Sequence, residues 1–158
     1  MEVTIRDATL DDASEISALV TRVALETFFA HGPEDGRSYF LAMNTPAAIA
    51  GKMRGNYRYH VAELDDRVVG MIAMLNNTHL YHLFIDSAHA GQGIGRRLWE
   101  HARRVCERHG NPGHFTVNST PDAVGIYERF GFVATGGLET RNGLTAQPMR
   151  LGPAPRPG

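Results

Sequence analysis

The chain has one cysteine, Cys106, in 158 residues. A single thiol closes no intrachain disulfide, so packing and hydrogen bonding must hold the fold, and nothing calls for an oxidising compartment. Set in a helical stretch, Cys106 reads as a small buried apolar residue rather than a nucleophile. No apolar run approaches the ~20 residues that a membrane span needs. The first residues, MEVTIRDATLDD, carry acids where a secretory leader would carry lysines and then a greasy core. These absences lead us to expect a cytoplasmic protein with no membrane partner. Nor is there a basic excess: the formal net charge is -1, which argues against a general nucleic-acid binder. What is present is ordinary globular composition, 42% hydrophobic and 21% charged, in a length that buries about 70% of its unfolded surface.

The pattern along the chain alternates strands with helices. VTIR (Val3 to Arg6) alternates apolar and polar residues as a short strand does. Thr9 and Asp12 have the spacing of a capping box, and Ile16, Leu19, Val20, Val23 and Ala24 recur at helical intervals towards Phe29. From His31 the pattern loosens, with HGPEDG reading as a loop and PAAIAGKM as a short helix with proline in its first turn. YRYHVAEL and RVVGMIAML, separated by Asp65 and Asp66, predict a hairpin, and HLYHLFID a further strand. The clearest helix runs from Gly93 to His109, with Ile94, Leu98, Ala102, Val105 and Cys106 on one face. FTVNS reads as a strand, PDAVGIYERF as a helix, and GFVATG with LTAQPMRL as the last strands. The expected fold is mixed α/β, a single domain over residues 1–151 with one sheet. The tail GPAPRPG, residues 152–158, is expected to be disordered.

The stretch SAHAGQGIGRRLWEHARR places Gly91, Gly93 and Gly95 at alternate positions before that clearest helix. Arg96 and Arg97 follow where the helix dipole disfavours cations. A phosphate-binding P-loop would need GxxxxGK[ST], and no Lys-Ser or Lys-Thr is present. A dinucleotide fingerprint needs GxGxxG, and Arg96 stands where its third glycine would be. What survives is the common physical factor: glycines let backbone N–H groups approach an anion at a strand-to-helix junction. A bound pyrophosphate would turn the two arginines into charge-assisted partners. The plainer reading is a tight turn beside solvated arginines.

LFIDSAHAGQGIGRRL resembles motif A of the GNAT superfamily of acyl-CoA-dependent N-acetyltransferases, with its [RQ]xxGx[GA] core. VNSTPDAVGIYERFGF resembles the same family's second signature. The likeness runs from about Val3 to Leu151 and implies a mostly antiparallel sheet of six or seven strands flanked by about four helices. It implies acetyl-CoA as co-substrate. The backbone of Leu83, Phe84 and Ile85 would pair with its pantetheine arm, the segment Ala90, Gly91, Gln92, Gly93, Ile94, Gly95 and Arg96 would bind its pyrophosphate, and Asn118 would hydrogen-bond further along. The family's Arg or Gln falls here on Ala90 and a frequent proline on Ser87, so His89, Gln92 or the arginines are expected to compensate.

The resemblance also implies an acetyl transfer to the primary amine of a small molecule or peptide, by direct attack in a ternary complex. Tyr127 stands where the family often has a general acid; it either protonates the departing thiolate or packs its ring and positions the sulfur. An alkylamine near pKa 10.4 is neutral only about once in 2,500 molecules at pH 7, a cost of about 4.6 kcal/mol that a base must offset. His79, near the start of the fourth strand with Tyr81 two residues on, is the expected base, and Glu26 and His82 are the other candidates. A structural role for His79 stays open. Glu26, Glu34 and Asp35 beside Phe28 and Phe29 suit a cationic amine with an apolar portion, though solvated loop acids explain them equally well, and Glu26, Phe29 and Tyr81 are the expected substrate contacts. None of the eight histidines shows compact ligand spacing, so no metal is expected. Exposed strand edges would allow a homodimer. The alternatives are a non-catalytic acyl-CoA-binding regulator on the same scaffold and, against the missing Lys-Ser/Thr, a nucleotide-binding module.

Overall fold

The computed structural model describes residues 2–27, 29–30 and 34–152, apart from the side chains of Glu34 and Asp35. Expectations that fall on Phe28, on residues 31–33 and on the tail after Gly152 lie outside them. Strands β1 (Thr4–Asp7), β2 (Tyr57–Leu64), β3 (Arg67–Leu75), β4 (His79–Ile85), β5 (Phe115–Ser119), β6 (Val133–Ala134), β7 (Glu139–Arg141) and β8 (Leu144–Leu151) form the sheet. Helices α1 (Ala13–Glu26), α2 (Glu34–Met43), α3 (Pro46–Arg54), α4 (Ile94–Arg108) and α5 (Val124–Arg129) cover it. The strand order is β1-β2-β3-β4-β5-β8-β6, with β7 paired to β8. Eight strands rather than six or seven result because two- and three-residue pieces, β6 and β7, both pair with β8.

The capping residues act as their chemistry predicts. Thr9 N–H donates to Asp12 Oδ2 at 2.7 Å, at the head of a single 3-10 turn, Leu10–Asp12, that leads into α1. Asp12 also accepts from Arg6 at 2.8 and 2.9 Å, and Arg6 reaches Glu63 at 2.8 Å, which pins β1 to the helix entry and to β2. α1 stops at Glu26, short of Phe29, as the Thr27 hydroxyl donates to Val23 C=O at 2.7 Å. HGPEDG is not wholly a loop, since Glu34–Gly36 open α2. Pro46 stands in the first turn of α3, whose Thr45 cap accepts from Ala48 N–H.

Two apolar clusters share the sheet. On one face α4 buries Ile94, Leu98, Trp99, Ala102 and Cys106 against Ile72, Leu80, Phe115 and Val117. On the other, α1 and α3 bury Ile16, Leu19, Val20 and Ile49 against Val61, Met71 and Ala73. Trp99 and Cys106 are sealed in the first cluster, and burial raises the Cys106 thiol, so it behaves as a small apolar residue. Beside that cluster Asp7 Oδ1 lies 2.9 Å from His60 Nδ1 and 3.4 Å from His101 Nε2. These three potential ligand atoms lie within 4.8 Å of one another, though the residues come from β1, β2 and α4.

The sheet opens in the middle. β4 and β5 run parallel and pair only at His79↔Thr116 and Leu80↔Val117. At that point β4 carries an extra residue relative to β3, since Ala73 faces His82 while Met74 faces Leu80. The inserted Tyr81 breaks the alternation, bends the strand, and puts two consecutive rings, Tyr81 and His82, on the α1–α3 face with centroids 4.1 Å apart. Beyond the bulge β4 keeps β3 on one side and leaves its β5 side unpaired.

Candidate functional site

The open edge of β4 ends at a turn built for close approach. Asp86 accepts from Ala88 N–H at 3.3 Å and its own N–H donates to Val69 C=O at 2.8 Å, so β4 is stopped and turned. Gly91 and Gly93 then take φ of +76° and +78°, values that cost an L side chain strain, and a Cβ at either would meet only open space. Gly93 caps α4, and the first bond closing on the turn runs from Arg97 N–H to Gly93 C=O at 3.1 Å. The amides of Ile94, Gly95 and Arg96 precede that bond at the positive end of a fifteen-residue helix with no acid in its first turn. Ala90, Gly91, Gln92 and Gly93 are exposed, while Ile94 anchors the helix start in the core.

The last turns of α1 support this turn from the side. Arg22 pairs with Asp86 at 3.3 Å and Ser87 donates to Glu26 at 3.1 Å. Glu26 therefore sits beside the glycine turn rather than apart from it. Arg96 has a partner of its own: its guanidinium donates to Arg129 C=O at 3.2 Å and lies 5.2 Å over the Phe130 ring. A cation at this helix start is thus explained in part by the C-terminal end of α5, where carbonyls favour it. What Arg96 offers to the turn is its backbone amide.

Leu83 and Ile85 pack towards the α4 cluster and Phe84 towards the α1–α3 cluster. Their backbone, on the unpaired side of β4, forms an edge to which an extended chain can add. Across the opening, Asn118 on β5 is exposed.

Since Phe115 and Val117 point to the α4 cluster, Thr116 points to the opposite face, as does His79, whose neighbour Leu80 is buried with α4. His79 Nδ1 lies 2.7 Å from Thr116 Oγ1, and burial lowers the imidazole pKa, so the ring is neutral at pH 7. Next to it, the Nδ1 of His82 is sealed without a hydrogen-bond partner among the described residues, and burial pushes this imidazole further down.

Four of the five tyrosines gather here, which the linear pattern did not reveal because they come from α2, β2 and β4. Tyr57 and Tyr81 meet edge to face at 5.0 Å. Burial pushes Tyr81 up to about 12 and raises Tyr59 further, and Tyr39 raises both Tyr57 and Tyr81. Lys52 lies 5.9 Å over Tyr57 and 5.7 Å over Tyr81. Phe29 is buried, edge to face with Phe40 at 5.3 Å, so it forms the wall behind this cluster rather than its surface.

Tyr127 lies in α5 with its ring edge to face against Phe130 and Phe132, at 6.0 and 5.8 Å. Burial raises its phenol well above the ordinary value, which keeps it protonated throughout the neutral range.

A family described as acetyltransferase (GNAT) domain matches residues 26–152. Peptidyl-lysine N-acetyltransferase YjaB of Salmonella typhimurium is 42% identical over 76 residues, 47% of this chain and 48% of that protein. The chain spans less than half the length of the curated relatives it matches. Among solved structures, PaiA N-acetyltransferase of Thermoplasma acidophilum in complex with coenzyme A superposes with a TM-score of 0.79 at 14% identity, over 95% of this chain and 98% of that one. The apo form of YjaB from Escherichia coli superposes with a TM-score of 0.68 at 24% identity, over 96% and 97%. At these identities the superpositions show a shared fold. No helix among the described residues is long and apolar enough to cross a membrane.

Proposed function

The chain belongs to the GNAT acetyltransferase family, and on that premise we propose that it transfers the acetyl group of acetyl-CoA to a primary amine of a small molecule or peptide. One observation carries the reading: the unpaired edge of β4 leads directly into the glycine turn that opens α4. An extended arm can add to that edge, and the diphosphate at its end meets amides that have no helical acceptor. The residues fit the co-substrate on their own chemistry, because Gly91 and Gly93 leave the approach clear of any Cβ.

Acetyl-CoA supplies an acyl group already activated as its thioester. The chain supplies three further things. Leu83, Phe84 and Ile85 present backbone groups to hold the arm, and the amides from Ala90 to Arg96 hold the diphosphate, with Asn118 available across the opening. His79 is the base: in the tautomer with its proton on Nδ1, 2.7 Å from Thr116 Oγ1, the Nε2 lone pair is left to take a proton from the incoming ammonium. Tyr127, kept protonated by burial, is the acid for the departing thiolate. Its raised pKa makes it a reluctant donor, so the transfer depends on the thiolate forming close by in the same dry surroundings.

The acceptor approaches from the α1–α3 face, where Tyr57 and Tyr81 offer ring faces that attract an ammonium. The Salmonella relative is named for peptidyl-lysine, so a lysine side chain is the first acceptor to try. The test is calorimetry with coenzyme A followed by an amine and peptide panel read as released thiol. Binding with turnover of at least one amine supports the reading; binding with none leaves a regulator on this fold; no binding overturns it.

A further inference from the structure

Of the sixteen lysines and arginines in the chain, one is a lysine, Lys52. It lies on α3, and its ammonium sits where a substrate ammonium would be recognised. Nζ donates to the carbonyl of Met43 at the end of α2 and lies 5.9 and 5.7 Å over the rings of Tyr57 and Tyr81. Tyr81 is the bulged residue at which β4 parts from β5, so this cation is held against the side chain that marks the mouth of the opening. Its charge is also felt by His82, the next residue of β4.

Resting on the function proposed above, we infer that Lys52 is an acetylation site of the protein itself, the acceptor of a self-acetylation in which its side chain occupies the place of the substrate amine. Four methylenes between Cα and Nζ let the amine swing from the tyrosine faces towards the thioester while α3 stays fixed. Desolvation lowers the Lys52 pKa, which enlarges the neutral fraction able to attack.

The step balances without another reactant. Lys52 gives up one proton, to His79 or to water, and its lone pair attacks the carbonyl carbon of acetyl-CoA. The C–N bond forms, the nitrogen gives up a second proton, the C–S bond breaks, and the leaving thiolate takes one proton, so that ammonium and thioester become amide, thiol and one released proton. The product side chain is neutral, and the contacts that held the ammonium, a carbonyl and two ring faces, lose their charged partner. Acetylation would therefore empty the amine position for an external acceptor.

A sole lysine makes the experiment unambiguous for side-chain amines. The folded protein is incubated with acetyl-CoA and followed by intact mass and peptide mapping. The expected result is one acetyl increment on Lys52, with a first-order rate constant independent of protein concentration, absent in Lys52→Arg and lost when the protein is unfolded first. Equal labelling of folded and unfolded protein would mean simple chemical acetylation and overturn the inference. So would an unmodified Lys52 in protein that turns over an external amine, which leaves the proposed function standing. Failure to bind coenzyme A in calorimetry would remove both together. A readout without acetyl-CoA is the methyl signal of Lys52 after reductive methylation with carbon-13 formaldehyde, assigned with Lys52→Arg. The methyl signal is expected upfield of free dimethyl-lysine because it lies over two ring faces, and an undisplaced signal would show that the cation does not rest on the rings.

Discussion

His79 and Thr116 face each other across the first of the two paired steps between β4 and β5, with Nδ1 and Oγ1 2.7 Å apart. The pair fixes the orientation of the imidazole one residue before the last β4–β5 pair, and burial holds the ring neutral. If His79 is the base, His79→Ala lowers kcat by about 10² to 10⁴. Thr116→Val, which keeps the shape and removes the partner, gives a smaller loss at unchanged affinity for coenzyme A. The sign of the pH dependence follows from the lowered pKa: activity is retained above pH 6.5 and falls on acidification at a midpoint below an ordinary imidazole's value of about 6.5. Initial rates of the wild type and both variants across the acid limb check this; an inflection unchanged in His79→Ala would assign it to another group.

Tyr127→Phe separates acid from spacer. The ring contacts with Phe130 and Phe132 persist in the variant, so the fold should be kept and coenzyme A affinity little changed. Loss of the proton donor lowers kcat by about 10² to 10⁴ with KM near its wild-type value. Near-normal turnover in steady-state kinetics would instead assign Tyr127 to positioning.

Much of the fold was legible because it rests on local signals. The period of Ile94, Leu98, Ala102, Val105 and Cys106 gave the buried face of α4, and Asp65 and Asp66 gave the β2–β3 turn, where both take positive φ. α2 was not legible, because its helical period is weak and Gly36 reads as a breaker. The structure supplies the reason for that glycine: a Cβ there would lie 2.6 Å from the carbonyl oxygen of Gly143. Most of the cofactor side of the candidate site, from Leu83 to Arg96, is one continuous stretch and could be read in order. The proposed acceptor side is assembled from residues far apart in sequence, Tyr39, Lys52, Tyr57, Tyr59 and Tyr81. Only the β4 bulge, a tertiary feature, brings Tyr81 and His82 to the same face.

His60 sets an acid limit on stability. It is fully buried, and desolvation with the nearby His101 lowers its pKa to about 4, against the opposing pull of Asp7. Unfolding releases it to about 6.5, so below that pH the unfolded chain takes up the proton first. Its contribution is complete above pH 6.5 and is lost progressively as pH falls towards about 4, amounting to about 1 to 3 kcal/mol. Urea unfolding of the wild type at pH 7.5 and pH 5 should show this fall, and a His60→Gln variant should show a shallower one. Parallel slopes in the two proteins would place the acid sensitivity elsewhere.

Gly93 joins the turn to α4 in a left-handed conformation, φ +78° and ψ 8°, with open space where a Cβ would point. Gly93→Ala therefore meets no clash in the protein alone, and its stability cost is torsional, about 1 kcal/mol. The new methyl would stand in the approach that the diphosphate needs, so coenzyme A affinity should fall by more than the factor of about ten that corresponds to 1.4 kcal/mol. Acetyl-pantetheine, which has the arm and no diphosphate, should bind both proteins alike. Asn is the informative control, because it tolerates the left-handed region while still carrying a Cβ: Gly93→Asn should recover stability and not affinity. If calorimetry gives wild-type affinity for either variant, Gly93 serves the turn alone, and the diphosphate is held by other amides.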